Sequence, residues 1–303
     1  MEKNDYHFQI IANFLAGTGE AKKLLSDLKE FLDSHHQSYR VLKVTQPTPI
    51  SQLPLDGRIK ITKGVICLGG DGTVSETVGY VLNHQIKAPI AIIPVGTANI
   101  IAATLGLKKE KAGFDFLLKN KLIEVDVGVT QYQDKKHFFL LGMGLGFEEK
   151  FLKLTKEKLK KKMGVFSYIL AALSELLSLS KIPLVLEFKG QKHSVDVCLL
   201  TILNLKPKIL SFFPLFAHQE IEATDGQFNL YLVEYRNYFQ ALAGTLLFHL
   251  LGQKNFGLVK SFSAQEFVLR SKKTCGTQVD GELRSCLPVK VFFHPQACRF
   301  LIP

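Results

Sequence analysis

Residues Cys67 to Val78 read CLGGDGTVSETV. Gly69, Gly70 and Gly72 surround one carboxylate, Asp71, and a hydroxyl follows at Thr73. The group lies between an apolar run and a stretch with helical spacing. Glycines at such a junction let backbone N–H groups approach phosphate oxygens, and a helix start adds donors and a favourable dipole. A carboxylate there repels phosphate and needs its own reason, for which holding Mg2+ is the usual one. Two further loops share this texture. Pro94-Val95-Gly96-Thr97-Ala98-Asn99 follows the next apolar run, and Asn13-Phe14-Leu15-Ala16-Gly17-Thr18-Gly19 follows the first. Three such loops at one sheet edge could surround a nucleotide.

The same residues fit a plain structural reading. Thr73-Val74-Ser75-Glu76 has the form of a capping box, in which Thr73 and Glu76 only start a helix. The loop is neither GxGxxG nor GxxxxGK[ST], so the common nucleotide fingerprints do not apply. Gly142-Met143-Gly144-Leu145-Gly146 follows a strand-like run with the wrong spacing for phosphate, and a backbone turn is expected there. Asp280-Gly281, between two strand-like runs, predicts a hairpin turn with Glu282 on its flank.

The elements that must position these loops are legible as periodicities. Phe8–Ala12, Arg40–Val44, Val65–Leu68 and Pro89–Ile93 read as strands. Glu20–Leu32, Val74–Leu82 and Asn99–Leu105 read as helices, the last closed by Gly106. Apolar strands alternating with helices imply a parallel sheet covered on both faces. After Leu122 the texture changes. Runs at Ile123–Thr130, Lys136–Leu141, Leu184–Lys189, Val195–Asn204, Gln227–Glu234, Ala264–Ser271 and Leu287–His294 predict a second domain of mostly antiparallel strands, with helices near 147–179 and 237–251.

Composition sets outer bounds. The chain has 303 residues, enough for two domains of ordinary size or one large one, and its 47% hydrophobic content supports a sizeable core. A formal net charge of +11 favours polyanions: nucleotides, nucleic acid or an acidic membrane surface. Cys67, Cys198, Cys275, Cys286 and Cys298 show no CxxC spacing and read as reduced thiols of a cytoplasmic protein. The N-terminal residues do not fit a signal peptide, and no apolar segment reaches the length of a membrane span, so a membrane would be met peripherally.

GGDGTVSE, followed by PVGTANIIA, resembles the diacylglycerol kinase catalytic domain family, which includes bacterial soluble lipid kinases and the sphingosine kinases. Asn13–Gly19 stands where that family has an NPxSGxG loop. VDVG at Val125–Gly128, GMGLGFEEKF with its basic continuation, DGQFNLYLV at Asp225–Val233 and QVDGE at Gln278–Glu282 follow in the family's order. The resemblance implies an α/β fold: a phosphofructokinase-like nucleotide-binding domain over residues 1–125, then a β-sandwich-like lipid-substrate domain over 126–303. The extreme C terminus would pack back on the first domain, with ATP in the cleft between the two. By position, Asn13, Phe14, Leu15, Ala16, Gly17, Thr45, Gly69, Gly70, Asp71, Gly72, Thr73, Val74, Ser75, Glu76, Gly96 and Thr97 would line ATP. Asp71 would act near Mg2+ and the phosphates, with Asp126 in the same acidic network and Glu282 as the proton acceptor. A structural Mg2+ would take Asp225, with Glu222 and Gln227 contributing oxygens.

The match has departures. Phe14 and Ala16 replace the family's proline and serine, Ile100 follows Asn99 where many members carry an acidic residue, and Leu210–Ala217 is unusually aromatic. Lys150–Lys162 holds seven lysines. Phe151, Leu152, Leu159, Met163 and Phe166 could share the opposite helical face, which suits either an anionic membrane surface or a solvated helix docked on its own domain. The reading is an ATP- and Mg2+-dependent kinase of a lipid hydroxyl, diacylglycerol first among the candidates. It would be cytoplasmic and peripherally membrane-associated, with no nucleic-acid partner and with homodimerisation left open. The alternatives are an NAD kinase-like enzyme sharing GGDGT and a non-catalytic nucleotide or lipid sensor on the same fold.

Overall fold

The computed structural model describes residues 5–17, 19–47, 49–96, 98–107, 113–146, 180–205, 226–240, 242–243, 259–273 and 275–303. Two compact units divide the chain: Met1–Val125 with Gln296–Pro303, and Asp126–Pro295.

The first unit runs β1 (Asp5–Asn13), α1 (Ala21–Ser34), β2 (Tyr39–Val44), a 3-10 turn (Ile50–Gln52), β3 (Lys60–Gly69), α2 (Asp71–Asn83), β4 (Ile90–Pro94), α3 (Ile100–Thr104) and α4 (Phe116–Lys119). The strands pair in parallel in the order β4-β3-β1-β2, with Ile10 opposite both Val41 and Ile66, and Cys67 opposite Ile92. Phe8, Ile10, Ile66, Leu68 and Ala91 pack with Leu25, Leu28 and Leu32 of α1. The alternate residues Ile11, Val65, Cys67 and Ile90 are fully buried as well. A sheet buried on both faces has no polar phase to its pattern, which explains the continuous apolar runs. All four strands run in one direction, so the turns after Asn13, Val44, Gly69 and Pro94 reach one edge.

β5 (Leu122–Tyr132) carries the chain into the second unit. There follow β6 (Lys135–Phe139), β7 (Gly142–Leu145), β8 (Ile182–Phe188), β9 (Gln191–Leu203), β10 (Phe228–Glu234), β11 (Val259–Ala264), β12 (Glu266–Arg270), β13 (Gly276–Val279), β14 (Glu282–Cys286) and β15 (Val289–Leu301). The pairings β14-β13-β7-β9-β8-β12-β15 within this unit are antiparallel, and β10 joins β9 to β11. Phe139, Met143, Leu145, Leu200, Ile202, Phe228, Leu230 and Phe267 form the centre of its core. The fold class is thus the expected one, a mixed α/β chain whose parallel unit precedes a β-rich unit.

Three local expectations are corrected. Gly142–Leu145 of the glycine run form strand β7 rather than a turn, and Gly146 follows at φ 90°. A Cβ on Gly142 would overlap the Ile202 carbonyl oxygen, so this glycine lets β7 approach β9. Helix α2 begins at Asp71, with Gly70 as N-cap and no side-chain cap, so Thr73 and Glu76 do not form a capping box. Glu76 instead accepts hydrogen bonds from Ser51 N–H at 3.1 Å and Ser51 Oγ at 2.6 Å, tying the 3-10 turn to α2. The single strand expected over Ala264–Ser271 is broken after Ala264, where β11 gives way to β12. Of the helical segments expected near 147–179 and 237–251, the first lies outside the described residues and most of the second does too.

Candidate functional site

The three glycine-bearing loops of the first unit meet. Asn13 Nδ2 donates to Thr73 Oγ1 at 2.9 Å, and Asn13 Oδ1 accepts from Leu15 N–H at 2.9 Å, which folds the first loop against the start of α2. Val95 N–H donates to Gly69 O at 2.9 Å. The backbones of the second and third loops nearly touch: a Cβ on Gly96 would stand 2.6 Å from Gly70 Cα and 2.8 Å from Asn99 Oδ1. Gly17 has φ +68°, and a Cβ there would overlap Val95 O. Side chains are excluded from this junction, which leaves backbone at its surface.

Asp71 organises the third loop. Its Oδ2 accepts from Ile100 N–H at 3.0 Å and its Oδ1 from Ile101 N–H at 2.8 Å, so this carboxylate satisfies the start of α3. Burial pushes the Asp71 carboxyl above its ordinary value, while the Ile101 and Ile100 amides pull it back. Asn99, at φ 48°, donates from Nδ2 to Gly96 O at 2.6 Å, and its buried Oδ1 has no hydrogen-bond partner. The sequence contained the signal for Asn99, an Asn ahead of a short helix, but did not set it among the site residues.

The other first-loop and helix residues fall into distinct roles. Phe14 packs against the α1-side core, and its N–H donates to Val44 O at 3.0 Å. Leu15 is 53% exposed, and Thr45, just past β2, is exposed too. Ala16 N–H donates to Asn13 O at 3.3 Å. Val74 N–H is taken by Gly70 O, and Val74 and Ser75 are buried. Glu76 is engaged by Ser51 as described. Thr97 lies outside the described residues. The junction fits phosphate oxygens, because glycine backbone, an uncapped helix start and the Thr73 hydroxyl converge there. Asp71 fits a Mg2+ that arrives with phosphates and keeps its own waters, since such a cation needs one or two carboxylates and no protein cage. Among the described residues no group of three or more His, Cys, Asp or Glu could hold a metal by itself.

The remaining carboxylates belong to the second unit. Asp126, 1% exposed on β5, accepts from Gly226 N–H at 2.9 Å, one residue before Gln227. Glu222 and Asp225 of the expected metal set, and the Lys150–Lys162 segment, lie outside the described residues. The Asp280-Gly281 turn joins β13 to β14 as predicted, with φ 46° and 80°, and Glu282 opens β14. Glu282 Oε2 lies 2.6 Å from Arg284 Nη2, and both side chains are partly exposed. Asp280 accepts three backbone amides, those of Leu140, Leu141 and Gly142. Sequence reasoning read Asp280 only as a turn residue, and it did not find Asn204, whose partners are distant along the chain.

Comparison with known proteins shows what this region is similar to. Residues 7–130 match the diacylglycerol kinase catalytic domain. An uncharacterized protein of Synechocystis sp. is 27% identical over 313 aligned residues, covering 97% of this chain and 70% of that protein. A diacylglycerol kinase of Staphylococcus carnosus is 28% identical over 174 residues, covering 57% of this chain and 55% of that enzyme. The chain thus aligns with about half the length of that kinase. A candidate diacylglycerol kinase of Bacillus anthracis superposes with a TM-score of 0.74 at 20% identity, covering 98% of this chain and 97% of that one. An Archaeoglobus fulgidus NAD kinase, solved with ATP, gives a TM-score of 0.50 at 12% identity, covering 97% and 93%. At those identities both structures speak to the fold alone. Residues 7–130, which hold all three glycine-bearing loops, are similar to the diacylglycerol kinase catalytic domain family.

Proposed function

We propose that the chain is an ATP-dependent lipid kinase that phosphorylates a lipid hydroxyl, with diacylglycerol as the first substrate to test. The observation that carries this reading is the convergence of Asn13, Gly70 and Gly96 beside the uncapped start of α2, within a domain similar to this family. When bound, ATP supplies the phosphoryl group and Mg2+ offsets its charge. The residues that would hold them are Asn13–Gly17, Thr45, Gly69–Thr73, Gly96 and Thr97. Val74, Ser75 and Glu76 would contribute by shaping α2. Asp71 would orient the metal while keeping α3 in place.

Glu282 would accept the proton of the attacking hydroxyl, an assignment that rests on its place in the QVDGE motif. Asp126 would act in the same acidic network. A second, structural Mg2+ at Glu222, Asp225 and Gln227 also rests on the resemblance, as does the cytoplasmic, peripheral location. Lys150–Lys162 would supply the contact with an anionic surface. Transfer of label from radiolabelled ATP to a panel of lipid alcohols in mixed micelles tests the reading, and ATP binding without transfer to any lipid would favour a sensor instead. Within that assay, Glu282→Gln is expected to lower turnover at least about 100-fold with ATP binding retained. Near-normal turnover would remove Glu282 from the role.

A further inference from the structure

Turn chemistry alone does not ask for aspartate at position 280. Both central residues of the turn stand at positive φ, and Asn-Gly fills such a turn at least as well as Asp-Gly. A carboxylate adds something that an amide side chain cannot. Asp280 Oδ1 accepts from Leu141 N–H at 2.9 Å and Gly142 N–H at 3.1 Å, and Oδ2 accepts from Leu140 N–H at 3.0 Å. Asp280 N–H donates in turn to Gly142 O at 2.9 Å. One residue therefore fastens the hairpin tip to the segment entering β7. Bonds from amides to an ionised acceptor are stronger than those between neutral groups.

That segment is held from its other side by Asn204, which is 2% exposed. Asn204 Nδ2 donates to Leu140 O at 2.9 Å and to Asp126 O at 2.8 Å, and Asn204 N–H donates to Leu141 O at 2.9 Å. β13 then runs beside β7, with Val279 opposite Met143. A continuous path of backbone bonds thus leads from β9 through Leu140–Gly142 to the turn, and Glu282 follows two residues after Asp280.

We infer that Asp280 is a positioning residue: its carboxylate, backed by Asn204, clamps Leu140–Gly142 and fixes the backbone that presents Glu282. The inference rests on the reading of Glu282 as proton acceptor. Asp280→Asn keeps a turn-forming residue and removes the charged triple acceptor, which separates the clamp from the turn. The measurements are kcat, KM for ATP, Mg2+ dependence and pH profile with diacylglycerol in mixed micelles, together with amide exchange at Leu140–Gly142. The expected result is a kcat lowered about 10- to 100-fold, the scale set by a small misplacement of a catalytic group. KM for ATP, the Mg2+ requirement and the acidic limb of the profile should stay unchanged, and the three amides should exchange faster. Asn204→Ala should give the same kcat-only loss, and the double variant should lose less than the product of the single losses. Asn204→Ala carries the test if Asp280→Asn does not fold. Wild-type kcat in Asp280→Asn, with Glu282→Gln inactive, overturns the clamp and leaves the base reading standing. A raised Mg2+ requirement in Asp280→Asn also overturns it, since Asp280 would then be a metal ligand. Full turnover in Glu282→Gln removes the base reading first and the inference with it.

Discussion

Among the described residues, each aspartate of the motifs engages backbone amides. Asp71 serves Ile100 and Ile101, Asp126 serves Gly226, and Asp280 serves Leu140 to Gly142. Glu282 is different, with an arginine beside it at 2.6 Å. For Asp71 this has a consequence for stability. Burial raises its folded-state pKa above the ordinary 3.8. The stabilising share of the group is therefore fully present below that ordinary value and is lost as pH rises through the folded-state value. Asp71→Asn cannot titrate. The stability of the wild type relative to Asp71→Asn should then fall as pH rises above the ordinary carboxylate value of 3.8. Thermal unfolding of both proteins across that range, without nucleotide, measures it, and a gap that widens with pH would refute the assignment.

At the scale of elements, the loops are set by how closely their backbones approach. Gly70 and Gly96 leave no room for a Cβ at Gly96, whose nearest neighbours would be Gly70 Cα and Asn99 Oδ1. Gly96→Ala must push the second and third loops apart, and an overpacked site of this kind costs about 1–3 kcal/mol. Urea unfolding should read that loss, and ATP titration calorimetry should show weakened binding in the same variant. Unchanged values in both would mean that the loops move apart freely. The glycines were legible as a phosphate-loop texture. Their second role, letting two loops touch, was not, because contact between Gly70 and Gly96 depends on neighbouring parallel strands ending at the same edge. Helix α2 makes a similar point: a capping box was legible at Thr73 and Glu76, yet the helix starts two residues before Thr73 and Glu76 bonds Ser51.

At the scale of the whole molecule, the +11 formal charge is the main physical lever. No helix among the described residues is long and apolar enough to cross a membrane. Under the proposed function, a lipid substrate is reached from an anionic surface, with attraction of roughly 1 kcal/mol per lysine near the bilayer. Co-sedimentation with vesicles containing phosphatidylserine should fall steeply as salt is raised, since screening shortens to a few ångströms near 1 M. Binding indifferent to both salt and anionic lipid would sink the electrostatic part of the proposed function.

The sequence by itself determined the alternation of apolar strands and helices, the order of the three loops, the Asp280-Gly281 hairpin and the family resemblance of residues 7–130. These are local properties: side-chain period, turn chemistry and glycine placement act within a few residues. Tertiary structure decided which groups those side chains meet. Asp71 finds amides 29 and 30 residues away, Glu76 finds Ser51 across 25, and Asp280 finds Leu140 across 140. It also turned Gly142–Leu145 into a strand and set Asn204 behind Leu140. A hydrogen-bond partner that far along the chain leaves no periodic trace, so the clamp under Glu282 became visible only once the strands were laid side by side.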